Sequence, residues 1–217
     1  MVVWMLTGTF AAFDWIMSLD PLWYSTIFGV YVLGGSVLAF LALLTVMSIG
    51  LRSAGVLEDA VHEEHYHDLG KWLFALTVFW GYIAFSQYML IWYANLPEET
   101  IWYRHRFEGS WLWVSVALGA ARFLVPFNVL LVRSAKRNLK VLGAAAIWIL
   151  ASHYLDLYWL VMPVFHPHGA APGWRDAAAL AAVCGTFGLG AWWKFRRSAV
   201  APVGEVRFVR ALEFENS

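Results

Sequence analysis

A histidine and an aspartate, His153 and Asp156, stand three residues apart inside an apolar run, residues 141–165. This spacing puts both side chains on one face of an α-helix. Histidine ionises near neutral pH, so a neighbouring carboxylate can exchange protons with it at little cost. The pair predicts a proton relay or an acceptor for the protons of a quinol. A hydrogen-bonded pair that locks two helices together is the alternative.

Arg122 lies in the middle of another apolar run, four residues before Pro126. The proline removes the hydrogen bond that the carbonyl of Arg122 would accept in an α-helix. An arginine keeps its proton, so within a membrane it needs water or a counter-charge, for which Asp156 and Asp14 are the candidates. We expect either a polar, partly hydrated interior or an Arg–Asp clamp between helices.

Five residues at compatible depths are therefore the candidate site residues, for a proton path or a quinone pocket. Charged side chains at the bilayer centre cost about 2.5–3.5 kcal/mol on insertion scales, and they usually face the interior of a bundle. We expect the five to converge there: Asp14, Gln87, Arg122, His153 and Asp156.

The elements that position these residues are transmembrane helices. The 217 residues are 61% apolar and only 14% charged, and a helix needs about 20 apolar residues to cross the hydrocarbon layer. We predict an all-α polytopic bundle over residues 1–197 and a polar tail over residues 198–217. The predicted spans are residues 26–51, 72–95, 111–132, 141–165 and 176–194, with a sixth, clipped span over residues 1–19 that ends at Asp20-Pro21.

Lysine and arginine counts predict the orientation of the bundle. Eleven of these residues fall on one side of the predicted spans and three on the other, and cytoplasmic loops hold the excess. The loop of residues 52–71 and the C-terminus are therefore expected in the cytoplasm. Arg104, Arg106 and Arg175 face the opposite side.

The loop of residues 52–71 contains three histidines among acidic residues. His62 and His65 are three apart, which does not match a zinc-protease pattern. We expect no metal site here. The loop is either a surface that collects protons or a solvated segment in which Asp68 caps a helix starting near Lys71.

Other cofactors are not expected in this chain. Cys184 is the single cysteine, so the chain cannot supply a four-cysteine cluster site by itself. His153 is the one histidine deep in a predicted span, whereas a membrane haem b generally needs two. No phosphate-binding glycine motif and no nucleic-acid footprint are present.

Three stretches resemble a known family. They are F-D-W-I-M-S-L-D-P-L-W-Y-S-T-I-F-G-V-Y (13–31), H-Y-H-D-L-G-K-W-L-F-A-L-T-V-F-W-G-Y-I-A-F-S-Q-Y-M-L-I-W-Y-A-N-L-P-E-E-T (65–100) and H-Y-L-D-L-Y-W-L-V-M-P (153–163). These stretches resemble the sequences of the ActF membrane subunits of bacterial alternative complex III. These subunits belong to the NrfD-like family, which includes the polysulfide reductase anchor.

The resemblance implies a subunit of a quinol-oxidising respiratory complex in the bacterial inner membrane. Its partners would be an ActC-like membrane subunit, periplasmic iron–sulfur and cytochrome c subunits, and a terminal oxidase. Iron–sulfur clusters and haem c would lie in those partners, and this chain would supply a proton path or a second quinone site. His153 and Asp156 stand in the matching H-Y-L-D stretch, and Asp14 in the F-D-W stretch. The family has about ten helices, so the chain looks like the C-terminal part of a longer protein.

Two alternatives to a quinol oxidoreductase subunit stay open. One is a structural anchor that holds peripheral redox subunits, with its polar residues acting as interhelical hydrogen bonds. The other is an independent transporter, although no pair of broken helices and no inverted repeat is visible in the sequence.

Overall fold

The computed structural model describes residues 2–56 and 61–198, and within them the chain is helical without a β-strand. Five helical segments are long and apolar enough to cross a membrane. Their length and composition are those of a multi-pass membrane protein. The segments are Val2–Leu19, Phe28–Ser53, Glu63–Ala94, Trp111–Leu131 and Leu139–Phe165.

The helices follow one another with short connections. The fourth candidate span is composite, because a π-helical turn (Ala120–Leu124) joins α5 to α6. A 3₁₀ turn (Met17–Leu19) follows α1. The helices are α1 (Val2–Trp15), α2 (Phe28–Ser53), α3 (Glu63–Ala94), α4 (Pro97–Phe107), α5 (Trp111–Gly119), α6 (Val125–Leu131), α7 (Arg133–Arg137), α8 (Leu139–Phe165) and α9 (Trp174–Phe195).

Four spans form the bundle that positions the site. Helix α2 packs against α3 and α8, and α1 lies on the outside of α2. The composite span α5–α6 closes the bundle by packing against α3 and α8. Most of the buried side chains therefore lie between α2, α3, α5–α6 and α8.

The predicted last span forms a helix but is not among the five candidate spans. Helix α9 has no buried residue. Its three glycines, its Trp192–Trp193 pair and Lys194 lower its mean hydropathy below that of the other spans. The structure therefore has five candidate spans among the described residues where the sequence predicts six. The predicted tail from residue 199 onward, with Arg207 and Arg210, lies outside the described residues.

The third span begins eight residues before the helix start that the sequence predicts near Lys71. Asp68 therefore does not cap this helix. Helix α3 starts at Glu63, where two glutamates in the first turn complement the helix dipole. The backbone N–H of His62 donates to His65 Nδ1 at 3.2 Å. Asp68 lies inside the helix, 3.0 Å from Lys71 Nζ. Of the described residues, no three His, Cys, Asp or Glu side chains are grouped closely enough to hold a metal ion.

The core consists of two apolar clusters with a polar layer between them. One cluster is rich in aromatic residues and includes Phe28, Trp102 and Trp159. The other is aliphatic apart from Tyr66 and includes Leu38 and Leu142. The buried polar residues of the layer come from three of the four spans, between the contributions of each span to the two clusters: Thr77, Arg122, Ser152 and Asp156.

The π-helical turn shifts the register around Pro126. The N–H of Val125 donates to the carbonyl of Ala120, five residues back. In this register Pro126 stands opposite the carbonyl of Ala121. In a regular α-helix it would stand opposite the carbonyl of Arg122. The indole Nε1 of Trp148 on α8 donates to the Ala121 carbonyl at 2.7 Å. A side chain thus replaces the donor that proline lacks, and π-turns of this kind occur frequently at functional sites.

Candidate functional site

Four side chains meet in the polar layer, and we call them the polar cluster: Tyr31, Arg122, His153 and Asp156. Arg122 Nε lies 3.2 Å from Asp156 Oδ2. On the other side, Arg122 Nη2 lies 2.9 Å from His153 Nδ1. The hydroxyl of Tyr31 donates to Asp156 Oδ1. The cluster therefore connects α2, the π-helical turn and α8 through ionisable groups.

The polar cluster is buried except at its histidine. Arg122 is fully buried, with 0% exposure, and Asp156 is 2% exposed. His153 is half-buried. Of the four side chains, His153 is thus the one that a molecule outside the bundle can reach.

The hydrogen-bond geometry fixes the protonation state of His153. A guanidinium nitrogen can only donate, so the contact from Arg122 makes His153 Nδ1 an acceptor. The imidazole is then neutral and carries its proton on Nε2. With Asp156 ionised opposite Arg122, the polar cluster contains one positive and one negative charge and is neutral overall.

Gly35 and Trp80 shape the space around the guanidinium. The Gly35 carbonyl accepts a hydrogen bond from Arg122 Nη2 at 3.3 Å. The Arg122 guanidinium carbon lies 4.8 Å from the centre of the Trp80 ring, within cation–π distance. A Cβ at Gly35 would lie 2.9 Å from Arg122 Nη2. Glycine is therefore the residue that lets α2 approach the arginine.

Replacing Gly35 with alanine is expected to displace the Arg122 guanidinium. Overpacking of a well-packed core costs about 1–3 kcal/mol, so the free energy of unfolding of Gly35→Ala should be lower than that of Gly50→Ala by that amount. Gly50→Ala on the same helix is the matched control, because a Cβ there meets nothing within 4 Å. Detergent-based unfolding of both variants checks this. Equal stability of the two variants would show that Gly35 does not provide the space for Arg122.

Several buried donors in the polar layer have no acceptor among the described residues. They are Arg122 Nε, whose angle to Asp156 is unfavourable for a hydrogen bond, Arg122 Nη1 and Trp80 Nε1. Buried donors in folded proteins usually find a partner in ordered water when the protein offers none. The polar layer therefore has the chemistry of a hydrated site.

Two of the sequence-predicted residues do not join the polar cluster. Asp14 is exposed at the end of α1, because that helix packs only on the outer side of α2. Gln87 is buried, at 3% exposure, two helical turns beyond Trp80. It lines a separate pocket of about 210 Å³ of mixed polar and apolar lining, with residues 24–27 and Glu99. Arg122, His153 and Asp156 are the three predicted residues that meet.

Tyr31 is a member of the polar cluster that sequence reasoning missed. The sequence gives only weak evidence for a polar role of Tyr31, since a single tyrosine in an apolar helix is usually a packing residue. The spacing of Tyr31 and Gly35, four residues and one turn apart on α2, is the feature that could have indicated a polar face.

Arg106 is a second buried arginine that the sequence placed at the membrane surface. It is 1% exposed, and it donates to the carbonyls of Trp159 at 3.2 Å and Leu160 at 2.8 Å. Pro163, four residues after Trp159, cannot donate to the Trp159 carbonyl, so the arginine replaces it. Burial lowers the pKa of Arg106 to about 9, with Asp20 opposing the shift, and it stays charged at neutral pH. Arg106 ties α4 to α8.

Comparison with known proteins gives no family. A search against protein-family models found no match. A search of curated proteins found no match either.

Proposed function

We propose that this chain is a membrane subunit of a quinol-oxidising respiratory complex of the alternative complex III type, located in the bacterial inner membrane. We also propose that its C-terminus is cytoplasmic, which requires α9 to cross the membrane in addition to the five candidate spans. Electrons would pass from quinol through iron–sulfur and haem c subunits to a cytochrome c or another acceptor. The chain would contribute no redox cofactor of its own. The polar cluster would hold and pass the protons that quinol oxidation releases.

The three stretches that resemble ActF subunits support the assignment to such a complex. The observation that carries the proton-handling role is the placement of Arg122 between Asp156 and His153. Each neighbour can accept a proton, and either event weakens one contact of the arginine. A protonated Asp156 no longer offers a counter-charge. A protonated His153 carries only N–H donors and repels the guanidinium. Proton uptake therefore moves Arg122 from one partner toward the other, which couples protonation to a small conformational change.

His153 is the natural point of exchange with a quinol head group or with water. It is half-buried, whereas its cluster partners are buried. Its Nε2–H can donate to a quinone carbonyl, and its ring can receive a proton once Arg122 leaves Nδ1. The proton would then pass to Asp156 through water of the polar layer, because Arg122 between the two residues cannot release its own proton, and Tyr31 provides a hydroxyl for the next transfer. His153 and Asp156 are thus proposed as the proton-carrying residues, with Arg122 as the group that responds.

A structural anchor is the second function that an observation favours. Arg122, Asp156, His153 and Tyr31 contact one another across three segments of the bundle. Such a network also serves as an interhelical clamp, in which each hydrogen bond contributes about 0.6–2 kcal/mol. An anchor would hold peripheral redox subunits without moving protons.

Isolation of the tagged chain from its native membrane tests whether it is a redox subunit. We expect it to purify with haem c and iron–sulfur subunits, and the preparation to oxidise an added quinol. The absorption spectrum of haem c and a quinol oxidation assay are the measurements. A chain that purifies without redox partners would overturn the proposal and favour a transporter.

A further inference from the structure

A groove runs along the outer surface of the bundle between α6 and α8. It encloses about 390 Å³ and its walls are almost entirely apolar, including Pro126, Val129 and Ala144. Lys140 stands at one end and Trp148 at the other. These two residues are eight apart on α8, which is about 12 Å at 1.5 Å per residue. The groove is therefore long, narrow and apolar, with a cation at one mouth.

The mouth of the groove lies in the most basic part of the chain. Arg133, Lys136, Arg137 and Lys140 fall within eight residues. Arg137 is paired with Glu64 at 2.8 Å, whereas Lys140 has no ion pair among the described residues and is exposed. An anion at the mouth would supply the missing counter-charge.

We infer that this groove binds an anionic phospholipid, with one acyl chain along the apolar wall and the phosphate group at Lys140. A groove on the surface of a membrane-spanning bundle faces acyl chains, and basic sites between such helices bind anionic head groups. The volume lies within the range of about 300–1,000 Å³ that small-molecule sites occupy. A zwitterionic lipid fits the same wall but gains less from the lysine.

The bound acyl chain would rest on a residue that supports the polar cluster. Trp148 lines the groove and donates to the carbonyl of Ala121, the residue before Arg122. Lipid binding at the groove does not require quinol chemistry, so it holds or fails independently of the proposed redox role.

Native mass spectrometry of the purified full chain in detergent tests the site, with phosphatidylglycerol and phosphatidylcholine of identical acyl chains as probes. We expect the wild type to retain phosphatidylglycerol about fivefold more tightly, the effect of one lysine near an anionic head group. Lys140→Gln should remove this preference. Ala144→Phe should reduce binding of both lipids, because it fills the groove without changing charge.

Lys194→Gln is the matched control, since it removes an exposed lysine at the end of α9. It should leave the preference unchanged. Equal losses in Lys140→Gln and Lys194→Gln would overturn the site in favour of diffuse attraction. A folded Ala144→Phe variant that binds both lipids as tightly as the wild type would contradict binding of the acyl chain in the groove. Competition by inorganic phosphate at equal concentration would overturn the lipid site, because it would show a phosphate site that does not need an acyl chain.

Discussion

Asp156→Asn is expected to destabilise the protein by about 3–5 kcal/mol, because it leaves the charge of Arg122 buried without a counter-charge. Arg122 and Asp156 are both almost inaccessible to solvent, at 0% and 2% exposure. The asparagine keeps the size of the side chain, so the loss reflects charge and not volume. The measurement is the free energy of unfolding in mixed detergent.

The double variant Arg122→Gln/Asp156→Asn should recover most of that loss. It replaces an ion pair by two amides that can hydrogen-bond to each other, which leaves no uncompensated charge. Asp14→Asn is the control, because Asp14 is exposed and surface substitutions usually change stability by less than about 0.5 kcal/mol. Equal losses in Asp14→Asn and Asp156→Asn would contradict the buried ion pair.

His153→Asn is expected to reduce quinol oxidation by at least tenfold while the complex assembles normally. The asparagine Oδ1 can take the place of His153 Nδ1 and accept the hydrogen bond from Arg122, but it cannot titrate near neutral pH. General acid–base groups contribute about 10²–10⁴-fold to rate, so removing the titrating group has a large effect. The measurement is steady-state quinol oxidation by the purified complex.

This variant distinguishes a proton-handling role from an anchor. An anchor needs only the hydrogen bond, so it predicts normal turnover in His153→Asn. His105→Asn is the control, since His105 is an exposed histidine on α4, and its turnover should stay at the wild-type value. Turnover of His153→Asn equal to that of His105→Asn would leave the anchor as the better explanation.

The sequence predicts part of the polar cluster, and one strong physical rule makes this possible. Ionisable residues in apolar helices face inward and pair with one another, and this rule brings Arg122, His153 and Asp156 together. The rule does not say which helix face a residue occupies. Asp14 lies on α1, which touches the bundle on one side only, and its carboxylate therefore stays exposed.

Backbone irregularities limited the prediction elsewhere. The π-helical turn moved the carbonyl opposite Pro126 by one residue, from Arg122 to Ala121, and no propensity argument locates such a turn. Arg106 looked like a surface charge because it stands among polar residues, yet Pro163 leaves the Trp159 carbonyl free to accept from it. Both prolines in these spans thus mark carbonyls that accept side-chain donors.

Helix α9 shows what local composition leaves open. Its alanines and glycines suit close contact with a helix of this chain or of another, and none of its residues is buried against the rest of this chain. Local pattern predicted the helix correctly. It could not say what the helix packs against, because that depends on surfaces distant in sequence.

Infrared difference spectroscopy of the assembled complex, recorded as quinol is added, tests most directly whether the buried carboxylate of Asp156 takes up a proton during turnover. We expect a carboxyl band that appears with quinol, shifts in Asp156→Glu and persists in Asp14→Asn. A complex that oxidises quinol at full rate with no carboxyl change sensitive to Asp156→Glu would contradict proton uptake by Asp156.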